Sequence, residues 1–226
     1  MHYFNVDAFI GYLSNWFLIG GVGVTVALTV AGVIGGLVLG MGIALLKVAD
    51  ARPLNWIAGF YIWLFRGTPL LVQLVVIYTG LPQLGIKLGA VESALLGLVL
   101  HEAAYLAEII RSGFLSVPVG QREAAWALSL GRGTAFWRVI LPQAFRLMIP
   151  PLGNSINGLL KATSLASVIS VEELMRRSEM LMQEQFLTLE VYAAAAVYYL
   201  VLTTLWDLIQ RPLEKHFGRS IKKGGR

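Results

Sequence analysis

Residues 123–142 read EAAWALSLGRGTAFWRVILP, a polar and basic stretch between two segments that are apolar enough to cross a bilayer. Glu-Ala-Ala opens the stretch and Leu-Pro closes it, with Arg132 and Arg138 between them. Charged side chains are costly within the hydrocarbon core, so the stretch is expected to form a loop between two spans. Its arginines favour the cytoplasmic side of a membrane.

The composition supports a membrane protein. Of the 226 residues, 57% are hydrophobic and 14% are charged, whereas soluble domains carry about 25% charged residues. The chain has no cysteine and three widely spaced histidines, so neither a disulfide framework nor a metal site is predicted. The net charge of +5 comes from basic residues that are distributed like topology signals, which argues against nucleic-acid binding.

Five apolar stretches predict an all-α integral membrane protein with five transmembrane helices in a single domain, residues 1–226. The predicted spans are residues 17–46, 55–81, 91–111, 144–166 and 188–210, and residues 112–143 form the loop. Arg66-Gly67-Thr68-Pro69 interrupts the second span. Gly32, Gly36 and Gly40 lie four apart in the first, a pattern that predicts close packing within the chain rather than a dimer seam.

The distribution of lysines and arginines predicts the orientation. Lys87, Arg176 and Arg177 fall on one side of the membrane, and Arg66 and Lys161 fall within spans. The other thirteen share the opposite side: Lys47, Arg52, Arg111, Arg122, Arg132, Arg138, Arg146, Arg211, Lys215, Arg219, Lys222, Lys223 and Arg226. That side is expected to be cytoplasmic, with the amino terminus outside and the carboxyl terminus inside.

The segment between the fourth and fifth spans is predicted to contain a short helix on the outer face. Residues 170–173 read SVEE, which fits a capping box with Ser170 as the cap and Glu173 three residues later.

Two spans carry polar residues on one face. His101, Tyr105 and Glu108 share a face of the third span with Glu102 beside them, and Asn154, Asn157 and Lys161 share a face of the fourth. Such residues line a cavity or pair with one another. With Arg66, they form a candidate pathway in which Lys161 or Arg66 meets a substrate carboxylate and Glu102 or Glu108 meets an ammonium. The alternative is structural pairing of Lys161 with Glu102 or Glu108.

The stretch 123–142 resembles the EAA loop of ABC importer permeases, which runs Glu-Ala-Ala, three residues, Gly, nine residues, then Ile-x-Leu-Pro. The resemblance implies a MetI-like type I importer core whose cytoplasmic loop docks on an ATPase. The implied coupling residues are Glu123, Ala124, Ala125, Ser129, Gly131, Leu141 and Pro142. Ser129 stands at the usual Gly position, so the turn is expected either to strain a serine or to shift towards Gly131 and Gly133. We expect Glu123 to begin a short helix and Pro142 to interrupt the next one.

Three further segments resemble permeases for polar amino acids: FRGTPLLVQ at residues 65–73, AYLAEIIR at residues 104–111, and residues 141–165, which include LPQA, PPLGN and KATSL. This resemblance implies a multi-pass protein of the bacterial inner membrane that imports polar amino acids or their derivatives. The implied partners are an ATPase dimer, a second permease subunit (a copy or a paralogue), an extracytoplasmic binding protein and membrane lipid. The chain has no G-x-x-x-x-G-K-[ST] stretch, so ATP and Mg²⁺ are expected on the ATPase and no cofactor on this chain.

An ion-coupled secondary transporter or channel for small polar solutes is the main alternative. It would need paired inverted repeats or coupling acids, and five spans do not divide into two halves. A scaffold without transport conflicts with the polar faces. An enzyme is least expected, because no nucleophile or metal set accompanies His101 and Glu102.

Overall fold

The computed structural model describes residues 4–49 and 51–218. The described part of the chain is all-helical, with the order α1 (Val6–Leu13), α2 (Trp16–Val48), α3 (Arg52–Gly67), α4 (Leu70–Gly80), α5 (Ala90–Leu115), α6 (Val119–Ala127), α7 (Arg132–Ala135), α8 (Leu141–Ala162), α9 (Leu174–Gln185) and α10 (Thr188–Gly218). Short 3₁₀ turns follow α4 (Leu81–Leu84) and α8 (Thr163–Ile169), and a π-helical turn (Phe136–Ile140) joins α7 to α8. His2 and the tail residues Arg219, Lys222, Lys223 and Arg226 lie outside the described residues.

Three helices of the described chain are each long and apolar enough to cross a membrane: α2, α5 and α10. The pair α3–α4 also qualifies if its two bent halves are counted as one span, which gives four. The predicted five spans are therefore not recovered from length and composition. The helix that fails is α8, because Arg146, Asn154, Asn157 and Lys161 lower its hydropathy.

The predicted interruption of the second span is confirmed. α3 and α4 meet at an angle of 104°. Thr68 is extended (φ −115°, ψ 145°) and ends α3, because the residue before a proline is disfavoured in the α region. Pro69 is the N-cap of α4, where the absence of a backbone N–H costs no helical hydrogen bond.

Three helices have bounds that differ from the predicted spans. α5 continues to Leu115 and α10 to Gly218, past the predicted ends at residues 111 and 210. The fourth predicted span ends as a helix at Ala162 rather than residue 166, since a 3₁₀ turn follows. α8 remains one helix through Pro150 and Pro151, although a prolyl residue removes a helical hydrogen bond.

The core forms where α5 packs against α2, and the predicted glycine face of α2 makes that contact. Gly32, Gly36 and Gly40 are all buried. A Cβ at Gly40 would lie 2.8 Å from the carbonyl oxygen of Ala103, and one at Gly36 would lie 3.0 Å from the Cβ of Glu102. The predicted packing within the chain is confirmed, and it brings α2 directly behind the polar residues of α5.

The predicted helix after the fourth span is present as α9, but the predicted capping box is wrong. Glu173 is itself the N-cap, and its carboxylate accepts the N–H groups of Met175 and Arg176. Ser170 lies in the left-handed region at φ 66° and ends the preceding turn instead. Glu173 is fully buried, and this burial raises the pKa of its carboxyl, although its hydrogen bonds act in the opposite direction.

Candidate functional site

A cavity of about 440 Å³ opens between α5 and α8. Four residues of the predicted pathway line it: His101, Glu102 and Tyr105 from α5, and Asn154 from α8. Pockets for small ligands usually measure about 300–1,000 Å³ and carry a few placed polar groups on apolar walls. This cavity, which we call the α5–α8 cavity, meets both conditions.

Glu102 is the buried acid of the α5–α8 cavity. Its side chain is almost completely buried, and its Oε1 accepts a hydrogen bond of 2.7 Å from the hydroxyl of Ser155. Gly36 of α2 packs against its Cβ and Cγ from behind. Glu102 is thus fixed on two sides while it lines the cavity.

His101 and Tyr105 form an aromatic wall beside Glu102. Their ring centroids lie 4.9 Å apart, and the guanidinium carbon of Arg66 lies 5.2 Å from the centroid of Tyr105. Arg66 belongs to the last turn of α3 and is exposed. The bend between α3 and α4 therefore brings a cation to the edge of the cavity that contains Glu102.

The remaining predicted pathway residues lie elsewhere. Glu108 forms an ion pair with Arg111 one turn along α5, and Asn157 donates to Asp207 of α10 across 3.2 Å. Lys161 lines a separate cavity of about 480 Å³ with Tyr199 and Thr203 of α10. Neither Glu102 nor Glu108 pairs with Lys161, so the alternative of structural pairing with that lysine is wrong.

Two polar residues at the cavity were not assigned from the sequence. Ser155 binds Glu102, and Gln73 of α4 binds His101 across 3.1 Å. Ser155 lies about 100° around α8 from Asn154, outside the face that helical spacing predicted, so the spacing did not identify it. Gln73 is separated from His101 by 28 positions, and only the bend before α4 brings the two together.

The segment between α5 and α8 presents an exposed surface on α6. Glu123, Ala124, Trp126 and Leu128 are exposed on it, with 64% of Trp126 and 74% of Leu128 accessible, whereas Ala125 is buried. We call these four exposed residues the α6 surface. α6 begins at Val119, after Pro118, so the prediction that Glu123 begins the helix is wrong. Glu123 lies in its middle.

α6 ends in a Schellman motif with a serine at the position that usually holds glycine. The N–H of Leu130 binds the carbonyl of Ala125 at 3.0 Å, and that of Ser129 binds Trp126 at 2.8 Å. Ser129 has φ 56°, whereas Gly131 has φ −60°. The suggested shift of the turn to Gly131 or Gly133 is wrong. Ser129 takes the left-handed conformation itself.

The return path from α6 to α8 is anchored by a few side chains. Arg122 donates to the carbonyl of Phe114 at 3.0 Å, and Gln143 donates to Gln121 at 3.2 Å. Leu141 and Pro142 directly follow the π-helical turn Phe136–Ile140, and the backbone is helical on both sides of this junction. Because Pro142 has no N–H, it removes a helical hydrogen bond there, so the predicted interruption coincides with the π-helical turn. These contacts connect the α6 surface to the helix that forms one wall of the cavity.

Within residues 4–49 and 51–218, no three His, Cys, Asp or Glu side chains are grouped so that they could hold a metal ion. The polar groups of the α5–α8 cavity are suited to hydrogen bonding and charge recognition of a small solute.

Residues 9–219 match the family model described as binding-protein-dependent transport system inner membrane component. The chain is 40% identical to the L-cystine transport system permease protein TcyB of Bacillus subtilis (strain 168), over 93% of this chain and 91% of that protein. It is 37% identical to the arginine transport system permease protein ArtQ of the same organism, over 88% and 91%. It is 42% identical to the octopine transport system permease protein OccM of Rhizobium radiobacter, over 82% and 79%.

Solved structures have the same fold. One, described as an amino acid ABC transporter with histidines, superposes with a TM-score of 0.89 at 34% identity, covering 95% of this chain and all of that one (100%). The inward-facing MetNI methionine ABC transporter superposes with a TM-score of 0.72 at 19% identity, covering 89% and 96%. The second likeness concerns the fold alone.

Proposed function

The chain belongs to the family of binding-protein-dependent transport system inner membrane components, and we propose that it forms the pathway of an ABC importer for polar amino acids or their derivatives. It is a multi-pass protein of the inner membrane and a transport subunit rather than an enzyme. In this family the ATPase is a separate subunit. The alternative of an ion-coupled transporter or channel is not favoured.

The substrate class rests on the relatives and on the chemistry of the cavity. Cystine, arginine and octopine permeases are all similar to this chain, and these substrates share an ammonium and a carboxylate on one carbon or close to it. The α5–α8 cavity offers Glu102 to a cation, while Arg66 at its edge offers a guanidinium to a carboxylate. The burial of Glu102 beside a cavity of about 440 Å³ is the observation that carries the proposal.

Five passes of the membrane are part of the proposal. Besides α2, α5 and α10, the bent pair α3–α4 and the polar helix α8 would cross, with the amino terminus outside and the carboxyl terminus in the cytoplasm. A polar helix is tolerated in a bilayer where its polar face lines a cavity, which is where Asn154 and Ser155 lie. The whole chain would then be one permease domain.

The coupling we propose passes through the α6 surface. Two ATPases would bind one such surface on each of two permease subunits, and an extracytoplasmic binding protein would deliver the substrate. ATP binding would draw the two α6 helices together and open the pathway outward, and hydrolysis would return it inward. ATP and Mg²⁺ would be held by the ATPases. The second permease would be a copy of this chain or a paralogue.

The role of α8 follows from its contacts at both ends. Leu141 and Pro142 begin it next to the π-helical turn, and Gln143 binds Gln121 of α6. About three turns further along, Ser155 binds Glu102. α8 is continuous over this length, including Pro150 and Pro151, so a displacement of α6 would reach the cavity through α8 and move Ser155 relative to α5.

The test is ATPase activity of the reconstituted importer with an amino-acid-loaded binding protein. Glu102→Gln keeps the size and removes the charge, and we expect it to weaken substrate-dependent stimulation by roughly ten- to a hundredfold in the half-maximal concentration. Glu108→Gln is the matched control, because Glu108 pairs with Arg111 away from the cavity. Equal responses of the two variants would contradict the assignment of the pathway.

A further inference from the structure

Gln73 has an amide group whose orientation is determined by its surroundings. It lies in the first turns of α4, just after the bend. Its Nε2 donates to the carbonyl oxygen of Phe65 at 2.9 Å, to the hydroxyl oxygen of Thr68 at 2.9 Å and to the carbonyl oxygen of Thr68 at 3.1 Å. Three oxygens therefore surround one end of the amide.

Each of these oxygens acts as an acceptor. Carbonyl oxygens cannot donate, and the hydroxyl of Thr68 already donates its single hydrogen to the carbonyl of Leu64 at 2.8 Å. A reversed amide would place the oxygen of Gln73 against three other oxygens without a hydrogen between them. The amide nitrogen must consequently face the bend, and the amide oxygen must face α5.

The amide oxygen of Gln73 lies 3.1 Å from Nδ1 of His101. An amide oxygen only accepts hydrogen bonds, so Nδ1 of His101 must carry the hydrogen. In a neutral imidazole the other nitrogen, Nε2, then has a lone pair and no hydrogen. The Arg66 guanidinium lies over the neighbouring Tyr105 ring, and its positive charge disfavours a second positive charge on His101.

We propose that Gln73 is a positioning residue that fixes His101 as the Nδ1–H tautomer, so that Nε2 accepts a hydrogen bond from a cationic nitrogen of the substrate. The proposal rests on the function proposed above and defines the substrate group that the cavity recognises. His101 and Glu102 are neighbours on α5 and both line the cavity. Two acceptors side by side suit an ammonium or a guanidinium, which carries several N–H donors and a positive charge.

The Ser155 hydroxyl does not offset this preference, because its hydrogen is donated to Glu102. A carboxylate or a carbonyl of the substrate would meet a lone pair at His101 and a negative charge at Glu102. That end of the substrate is expected at the Arg66 edge instead. The bend between α3 and α4 thus has a chemical role, since it presents both the cation at Arg66 and the amide that sets the tautomer of His101.

The test is solid-state NMR of the permease–ATPase complex in lipid bilayers, with the permease labelled with ¹⁵N-histidine. The chain has three histidines, so the His101→Phe variant identifies the signals of that ring. We expect a hydrogen on Nδ1 and none on Nε2. Saturating L-arginine is expected to shift the Nε2 signal in the direction of hydrogen-bond acceptance while Nδ1 keeps its hydrogen.

Gln73→Met keeps the size of the side chain and removes the amide. It should abolish the single-tautomer signature and raise the half-saturating concentration of L-arginine roughly tenfold, the value of one hydrogen bond to a charged group. Gln83→Met is the matched control, because Gln83 is exposed and binds only Thr79 among the described residues. It should leave both quantities unchanged. His101→Gln, which can place an oxygen near the position of Nε2, should bind L-arginine better than His101→Phe.

L-citrulline separates the two candidate groups, because it keeps the ammonium and replaces the guanidinium by a neutral urea. A shift of Nε2 with both compounds assigns the ammonium, and a shift with L-arginine alone assigns the guanidinium. A hydrogen on Nε2 of the unliganded complex, an unchanged tautomer in Gln73→Met, or no shift with either compound would overturn the inference. The ATPase measurement with Glu102→Gln is read separately, so a failed tautomer assignment leaves the importer function standing.

Discussion

Replacing Glu173 by alanine should destabilise the region where α2, α9 and α10 meet. The carboxylate is fully buried and accepts four donors from three parts of the chain. The N–H groups of Met175 and Arg176 lie 2.9 and 2.8 Å away, and the hydroxyl of Tyr199 lies 3.0 Å away. Thr25 of α2 donates a longer bond of 3.4 Å.

The magnitude follows from the groups that lose a partner. Loss of an N-cap side chain costs about 1 kcal/mol. A buried hydroxyl without a partner costs about 1–3 kcal/mol, and Tyr199 falls at the lower end because the side chains of Thr25 and Ser164 also lie within hydrogen-bonding reach of it. The sum is about 2–3 kcal/mol, which corresponds to a fall in melting temperature of roughly 5–10 °C for a chain of this size.

Thermal unfolding of the purified complex in lipid nanodiscs measures this effect. Glu172→Ala is the matched control, because Glu172 is exposed and its nearest approach to Arg177 is 4.0 Å. Its replacement should change the free energy of unfolding by less than about 0.5 kcal/mol. Equal shifts for Glu172→Ala and Glu173→Ala would refute the view that the buried carboxylate connects the three helices.

Three further outcomes are expected. Burial raises the pKa of Glu173, so the folded state holds the proton of this carboxyl more tightly than the unfolded state. The free energy of unfolding should therefore fall as pH rises from the ordinary glutamate pKa to the raised one. Glu173→Gln should remove this slope when unfolding is measured as a function of pH. Ser129→Gly should stabilise the end of α6 by up to about 1 kcal/mol, measured by hydrogen exchange of Leu130, because φ 56° strains a serine; unchanged exchange would contradict this. Gly36→Ala should weaken substrate-stimulated ATPase activity, because the added Cβ would lie 3.0 Å from Glu102. Such overpacking costs about 1–3 kcal/mol. The control Gly42→Ala should have no effect, because nothing lies within 4 Å of a Cβ at that position.

The parts of the fold that the sequence predicted depend on local rules. Apolar stretches predicted α2 and α10, and the stretch Arg66-Gly67-Thr68-Pro69 predicted the interruption between α3 and α4. The glycines at spacing four predicted close packing of α2 within the chain. Each of these follows from composition or from backbone sterics within a few residues. α8 is too polar to be recognised as a span from hydropathy alone. Its polar residues are covered in different ways, since Asn154 lines the α5–α8 cavity and Asn157 binds Asp207 of α10.

The candidate cavity was predicted in part. Helical periodicity placed His101, Tyr105 and Glu108 on one face of α5 with Glu102 beside them. The first two and Glu102 line the cavity, whereas Glu108 pairs with Arg111. The same periodicity grouped Lys161 and Asn157 with Asn154, but α8 is contacted on two sides. Asn157 faces α10 and Lys161 lines the second cavity. Helical periodicity predicts which residues share a face but not which neighbouring helix covers that face. The contact of Gln73 with His101 could therefore not be predicted, because it depends on the bend between α3 and α4.

The loop that resembles the EAA motif was also predicted only in part. The spacing of Glu-Ala-Ala to Pro142 identified the segment, but the start of α6 at Val119 lies four residues before Glu123. Pro118 is a stronger start signal than an acidic residue, because proline is favoured at the start of a helix, where its missing N–H leaves no helical hydrogen bond unmade. The turn stays at Ser129 despite the backbone strain there. A shift of the turn would break the two backbone hydrogen bonds of the Schellman motif.

The most direct test of the central claim is affinity purification of this chain from its native membranes, with sequencing of the proteins that accompany it and an assay of ATPase activity. The account predicts that a P-loop ATPase is recovered and that Glu123→Lys, which reverses a charge on the α6 surface, removes it. Glu92→Lys, a reversal at an exposed residue in the first turn of α5, should leave it bound. A chain that is purified without an ATPase, or an ATPase that both variants retain equally, would contradict coupling through α6.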